Sequence, residues 1–173
     1  MTVDTAFQRE LLFAFAELLD YPFADPAPAA RRCGALLERS RGGRHVEAFL
    51  SRAEGARPHE MEELYAATFD FDTACAPYVG HHLCGDTARR GAFLARLADV
   101  YREDGFTEVP SGELPDHLPV VLRYLAAAPP GPKRDALLVD GLIPALDGML
   151  ASPLDTENAY RSLLAALREE VQP

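Results

Sequence analysis

The feature that most constrains this chain is a helical periodicity of its apolar residues. In the first twenty residues, large apolar side chains recur at spacings of three and four, which place them on one stripe of an α-helix. The stripe consists of Phe7, Leu11, Leu12, Phe15, Leu18 and Leu19. Similar stripes follow along the chain, and no alternating strand pattern of useful length competes with them. The sequence therefore predicts an all-α fold.

Prolines and glycines divide these stripes into separate helices. Prolines between Tyr21 and Pro28 end the first helix, because proline has no N–H for the helical hydrogen-bond ladder. Later helices are predicted at about residues 29–40, 45–53, 60–69, 87–104, 117–128, 138–149 and 153–167. Asp86, Asp116 and Ser152 are predicted to cap the helices that follow them. Pro144 is predicted to kink the penultimate helix.

Length and charge limit the classes of partner. A chain of 173 residues that is 48% hydrophobic suits one domain with a real core, and we expect it to span residues 1–173. Lys and Arg total 17 against 27 Asp and Glu, which gives a formal charge of -10. Nucleic acid and anionic lipid are therefore poor partners, whereas a cationic partner is favoured.

The N-terminal segment does not resemble an export signal. No basic stretch precedes its apolar positions, and Arg9, Glu10 and Glu17 interrupt them. No other apolar run is long enough to cross a bilayer, so we expect a cytoplasmic protein without direct membrane insertion. The cysteines, Cys33, Cys75 and Cys84, are odd in number, and thiols are therefore expected in place of a disulfide framework.

Metal-capable side chains concentrate in the least regular part of the chain, residues 69–85. Cys75, His81, His82 and Cys84 lie there, and zinc takes four such ligands in a tetrahedron. Adjacent histidines usually point in different directions, and the chain has no Cys-x-x-Cys pair. The spacing therefore favours buried cysteines and hydrogen-bonded histidines. A small metal-binding protein or a metal-dependent enzyme that uses these four residues stays open as an alternative function.

Two groups of acidic residues have competing interpretations. Asp70 and Asp72 are interpreted as caps or turn formers near a helix end. Glu113, Asp116 and His117 lie in the segment ELPDHLP, whose prolines fix the backbone. This segment could be a cap cluster at a helix N-terminus. Alternatively, these side chains could form a rigid acidic group that binds a planar guanidinium at two points.

Three consecutive blocks of sequence resemble a known family. The blocks are ELYAATFDFD, PYVGHHLCGDTARRGAFLARLADVYREDGF and ELPDHLPVVLRYL, and together they cover about residues 62–125. They are similar to the nitrate reductase delta (NarJ) type within the TorD/DmsD family of molybdoenzyme assembly chaperones. The resemblance implies a single all-helical domain of about seven to nine helices, with no catalytic residues and no cofactor of its own.

The resemblance also implies a partner and a binding site. Chaperones of this family bind the N-terminal segment of a molybdenum oxidoreductase's catalytic subunit, often a twin-arginine signal or its remnant, until the molybdenum cofactor is inserted. The family's Glu-x-x-Asp-His element falls on Glu113, Asp116 and His117. The preceding block contributes groove or hinge residues, which are Tyr78, Gly80, Asp86 and Arg90. Phe69 and Phe71 either contact the peptide or belong to the core.

The client enzyme and the oligomeric state stay open. The block PYVGHHLCGD has a His-His pair that the common nitrate reductase pattern lacks. It is closer to the chaperones of related enzymes that act on ethylbenzene, dimethyl sulfide, chlorate or selenate. The resemblance is compatible with a monomer or a dimer.

Overall fold

The structure, a computed structural model, describes residues 5–71 and 73–171, apart from the side chain of residue 58. These residues form α-helices joined by loops. The helices are α1 (Thr5–Leu18), α2 (Ala27–Leu36), α3 (Gly43–Glu54), α4 (Pro58–Phe69), α5 (Val79–Cys84), α6 (Ala88–Glu103), α7 (Leu118–Ala127), α8 (Pro132–Ala136, continuing through Leu137–Leu142 to Ile143–Leu150) and α9 (Ala159–Glu170). The predicted all-α fold is confirmed.

The helices pack around one connected cluster of buried apolar side chains. Helix α1 packs against α7 and α2, α2 packs against α3, and α3 packs against α9. Helix α8 contacts α9 and the short α5, which also packs against α6. The predicted stripe of α1 is buried from Leu11 onward, and Phe7 is half-buried. Periodicity alone therefore identified the inner face of this helix.

An aromatic group ties α3, α4 and α9 together. The ring of Tyr160 lies 5.3 Å from that of Phe49, 5.4 Å from that of Tyr65 and 5.4 Å from that of Phe69, between ring centroids. All three pairs are edge-on, which is a favourable arrangement of aromatic quadrupoles. The Tyr160 hydroxyl is buried and has no hydrogen-bond partner in the described part of the chain.

The three predicted helix caps are wrong. Thr87, not Asp86, precedes α6, and His117, not Asp116, precedes α7. The last helix starts at Ala159, where the Asn158 side chain accepts a hydrogen bond from the backbone of the first turn. Asp86 instead pairs with Arg90, four residues on in α6. Asp116 accepts from the Gly80 N–H, and this tertiary contact overrides the local capping preference.

A π-helical segment, Leu137–Leu142, lies inside α8 just before Pro144, where the sequence predicts a kink. Beyond this segment, the N–H of Ile143 still donates to Leu138, five residues back. Pro144 then has no N–H to continue the ladder, so a regular α-helical register cannot run through this point. The turn formed by this segment holds one residue more than an α-helical turn, and it lies where α8 faces α5 and α6.

The segment that the sequence left irregular is partly ordered. It contains a 3₁₀ turn, Thr73–Cys75, and the six residues of α5. No helix in the described ranges is both long enough and apolar enough to cross a membrane.

Candidate functional site

A two-residue antiparallel bridge between Tyr78 and His117 joins the starts of α5 and α7. The Val79 N–H donates to the Asp116 carbonyl at 2.9 Å, and the Leu118 N–H donates to the Pro77 carbonyl at 2.8 Å. This bridge, together with the packing of α6 against α5, brings together the seven site residues that the family resemblance implies. We call the resulting group the acidic corner; it consists of Tyr78, Gly80, Asp86, Arg90, Glu113, Asp116 and His117.

Asp116 lies at the centre of the acidic corner and is fully buried. Its Oδ2 accepts a hydrogen bond from the Gly80 N–H at 2.9 Å and lies 3.8 Å from Nη2 of Arg90. Burial raises the pKa of the Asp116 carboxyl, and the Gly80 N–H and Arg90 oppose the rise. The other oxygen, Oδ1, has no partner in the residues described. In this conformation Asp116 therefore cannot touch a ligand directly.

Gly80 is required by the close approach of α5 to Asp116. A Cβ atom at this position would lie 2.8 Å from Asp116 Oδ2 and 2.8 Å from Cδ1 of Phe93. Both distances are shorter than real Cβ contacts, so a side chain here would displace the carboxylate or the ring. The sequence singled out Gly80 only as a groove or hinge residue, and the structure adds this packing reason.

Tyr78 and Glu113 form the solvent-facing side of the acidic corner, and His117 is buried behind them. The Tyr78 hydroxyl donates to Glu113 Oε1 at 3.1 Å, and Nδ1 of His117 lies 3.7 Å from Glu113 Oε2. Burial and the neighbouring Glu113 raise the pKa of Tyr78 to about 12. Burial lowers the pKa of His117 and outweighs the opposing charge of Glu113. Glu113, whose side chain is 27% exposed, is thus an accessible carboxylate of the corner.

Arg90 lies between two carboxylates and over an aromatic ring. Its Nη1 is 3.5 Å from Asp86 Oδ1, and its guanidinium carbon is 5.7 Å from the centroid of the Tyr78 ring. Asp86 is largely exposed and also lies 3.7 Å from Nδ1 of His81. The Arg90 side chain is 21% exposed, so this side of the corner is open to solvent.

A groove that the sequence did not predict lies next to the acidic corner. It is a cavity of about 500 Å³ between the end of α1, the α1–α2 loop and Arg123, and exposed Phe13 and Phe23 line it. Acidic Glu17, Asp20 and Asp25 complete its wall. Asp20 pairs with Arg123, which lies on α7 six residues after His117, so the groove and the corner share this helix. The sequence shows only that Phe23 stands in the proline-rich loop YPFADPAP, and the exposure of its ring is seen in the structure alone.

The metal-capable residues do not converge. Nε2 of His82 lies 2.8 Å from the Ala76 carbonyl, and the rings of His81 and His82 are perpendicular. Cys75 is buried, whereas Cys84 is half-buried. Among the residues described, no group of three or more His, Cys, Asp and Glu side chains could hold a metal ion. The alternative of a metal site at Cys75, His81, His82 and Cys84 therefore has no geometric support.

The remaining candidate residues lie around the end of α4, some in the core and some at the surface. Phe69 is buried in the core, but Phe71 is 84% exposed, so a core position for Phe71 is wrong. Asp70 is the C-terminal cap residue of α4, in line with its interpretation as a helix-end residue. Its predicted companion, Asp72, lies outside the described residues.

We expect the protein to lose stability as the pH falls below about 6.5, the ordinary pKa of histidine. Burial lowers the pKa of both His82 and His117, so the unfolded state binds more protons just below that pH. The stability that neutral histidines contribute is then lost as the pH approaches their folded-state pKa values. Urea unfolding at pH 7.5 and pH 6.0 measures the loss. A His82→Gln, His117→Gln double variant should lose less unfolding free energy between these two pH values. An equal loss would show that the two histidines are not the cause.

The chain is similar to proteins associated by name with nitrate reductase. The family model for the nitrate reductase delta subunit matches residues 36–137, which include the whole acidic corner. A Bacillus subtilis protein named as a candidate nitrate reductase molybdenum cofactor assembly chaperone, NarJ, is 31% identical over 125 residues, which cover 69% of this chain and 67% of that protein.

Two other relatives match over shorter stretches. The Escherichia coli K12 nitrate reductase molybdenum cofactor assembly chaperone NarJ is 33% identical over 81 residues, or 47% of this chain and 34% of that protein. A Mycobacterium tuberculosis nitrate reductase-like protein, NarX, is 34% identical over 88 residues, or 51% of this chain and 13% of that protein. The chain thus spans about a third or less of these two relatives.

A solved structure shares the fold. The crystal structure of a candidate redox enzyme maturation protein from Archaeoglobus fulgidus superimposes with a TM-score of 0.65 and covers 94% of this chain and 93% of its own. Because the two sequences are 21% identical, this likeness supports the arrangement of helices alone.

Proposed function

Because the chain belongs to the nitrate reductase delta subunit family, we propose that it is a cytoplasmic assembly chaperone for a molybdenum oxidoreductase. It binds the N-terminal segment of the catalytic subunit and holds that subunit until the molybdenum cofactor is inserted. The family resemblance read from three blocks of sequence is confirmed. The relatives named NarJ make a nitrate reductase the first client to test, and the His-His pair keeps the related enzymes of anaerobic respiration as alternatives.

The observation that carries this proposal is the position of an aromatic and acidic groove beside the acidic corner. Exposed Phe13 and Phe23 offer an apolar surface, and Glu113 and Asp86 are accessible carboxylates at the corner. An amphipathic segment with arginines complements this combination, since its apolar face gives affinity and its cations give orientation. The net charge of -10 favours the same class of ligand. Binding of this kind involves no covalent chemistry.

The test is affinity capture of the tagged protein from cells that respire anaerobically, with bound proteins identified by mass spectrometry. We expect a molybdopterin-containing catalytic subunit, and we expect its recovery to be lost when its N-terminal segment is deleted. Recovery that survives this deletion would place the contact elsewhere on the subunit. Absence of any such subunit would contradict the chaperone function itself.

We also expect Asp116→Asn to weaken binding of the client's N-terminal peptide by about tenfold while the domain stays folded. The amide oxygen can still accept from the Gly80 N–H, but the negative charge that faces Arg90 is lost. Tenfold corresponds to about 1.4 kcal/mol, slightly less than the roughly 1.5–3 kcal/mol of a direct hydrogen bond to a charged group, since Asp116 attracts the cationic peptide from a buried position. Isothermal titration calorimetry with the synthetic peptide measures the change.

The matched control for this variant is Asp99→Asn. Asp99 is exposed on α6 and pairs with Arg102, away from the acidic corner. It should bind the peptide as the unaltered protein does. If Asp116→Asn binds equally well, Asp116 has no part in peptide binding.

A further inference from the structure

The surroundings of Arg90 are those of a guanidinium-binding site. The ring of Tyr78 lies under the guanidinium, and the carboxylates of Asp86 and Asp116 lie within 4 Å of its nitrogens. An aromatic face and flanking carboxylates are the partners that a planar cation takes in proteins. We call this set of Tyr78, Asp86 and Asp116 the guanidinium slot.

Arg90 fills the guanidinium slot without satisfying it. Its nitrogens lie 3.5 Å from Asp86 and 3.8 Å from Asp116, beyond the usual range for N–H···O hydrogen bonds of about 2.7–3.2 Å. Its Nε is buried, and so is Oδ1 of Asp116, and neither atom has a hydrogen-bond partner among the residues described. A buried donor and a buried acceptor without partners cost free energy. A cation that hydrogen-bonds the Asp116 carboxylate more closely than Arg90 does would therefore bind favourably.

The slot can also be reached from outside. Asp86 is 81% exposed on its side chain, and Arg90 is 21% exposed, so one wall of the slot faces solvent. Arg90 is borne by the first turn of α6, whereas the buried wall, Asp116, is fixed through Gly80 of α5. Arg90 can therefore swing outward while the hydrogen bond that positions Asp116 stays in place.

We propose that Arg90 occupies the guanidinium slot as an internal substitute for an arginine of the client segment, which displaces it on binding. The inference rests on the proposed function and adds to it a specific ligand group and a closed state of the site. In the free protein, Arg90 shields the buried carboxylate. In the complex, a client arginine makes the two-point contact that Arg90 does not make.

The first experiment uses Arg90→Ala and methylguanidinium, and it needs no client. We expect millimolar methylguanidinium to raise the melting temperature of Arg90→Ala along a saturable curve and to shift the NMR signal of the Gly80 amide. Methylammonium should do neither, because it cannot make the planar contact. The unaltered protein and Arg89→Ala should not respond, since Arg89 is exposed on the same helix and its change leaves the slot filled.

The outcomes of this experiment separate clearly. No saturable response of Arg90→Ala, or the same response in all three proteins, would overturn the slot. If Arg90→Ala does not fold, Arg90→Gln removes the guanidinium and keeps a shorter, neutral polar side chain. The Gly80 amide signal in that variant then provides the readout.

The second experiment measures binding of the client's N-terminal peptide. A site that its own side chain occupies in about nine molecules of ten binds about tenfold more weakly than an open site. Arg90→Gln should therefore bind the peptide about tenfold more tightly, and replacing the peptide's arginines with citrulline should remove that gain. Equal or weaker binding would overturn the proposed displacement. No binding by any variant would refute the proposed function, while the methylguanidinium result would still decide whether the slot exists.

Discussion

Replacing Gly80 with alanine should lower the free energy of unfolding by about 3 kcal/mol, as measured by urea denaturation. The added methyl group would lie 2.8 Å from both Asp116 Oδ2 and the Phe93 ring. Overpacking of this kind costs about 1–3 kcal/mol, and a lengthened hydrogen bond to a buried carboxylate adds a comparable amount. Because Gly80 positions Asp116, we expect peptide affinity to fall as well.

The matched control for Gly80 is Gly91→Ala. Gly91 is an exposed residue inside α6, and a Cβ there meets nothing within 4 Å. Alanine at this position should raise stability by about 0.5–1 kcal/mol through its higher helix propensity. A difference of less than about 0.5 kcal/mol in the free energy of unfolding between Gly80→Ala and the unaltered protein would contradict this prediction. It would mean that Phe93 or Asp116 can move away from the added methyl group without loss of stability.

Tyr160→Ala should be at least as destabilising, with a loss of about 3–5 kcal/mol in the free energy of unfolding. The ring is fully buried and makes edge-on contacts with aromatic residues from α3 and α4, so its removal leaves a cavity between three helices. Thermal and urea unfolding measure the loss.

Tyr160→Phe separates the ring from its hydroxyl. Burial raises the pKa of Tyr160, and the hydroxyl has no hydrogen-bond partner in the described residues. Phenylalanine should therefore be neutral or stabilising by up to about 1 kcal/mol, because no hydrogen bond is lost and a buried polar group is removed. A loss of more than about 1 kcal/mol would mean that the hydroxyl has a partner after all.

Local sequence rules predicted the helices better than their ends. The stripe of α1 follows from periodicity. Helix α6 ends at Glu103, within about one residue of its predicted end, and Gly105 follows with a φ of 70° that suits glycine. The predicted caps failed because a capping preference is local, whereas the carboxylate of Asp116 accepts from Gly80, 36 residues earlier. A single sequence gives no sign of such a pairing.

The composition of the acidic corner was predictable only through the family resemblance, and its geometry was not predictable at all. ELPDHLP indicated a rigid acidic segment, but the sequence could not show that Asp116 is fully buried while Glu113 stays accessible. Nor could it show that Arg90 enters the corner, because an arginine in the first turn of a helix normally extends into solvent. The groove at Phe23 was missed because a loop has no periodicity that would mark its exposed side.

The π-helical segment of α8 also bears on how relatives of this chain are aligned. A π turn holds one residue more than the α turn that it replaces. A relative that lacks one residue within 137–142, and that has no proline at the position of Pro144, could therefore form a regular helix there and keep both ends of α8 in the same orientation. A one-residue gap at this place is a difference that the fold absorbs, and it does not displace the acidic corner from its counterpart in the relative.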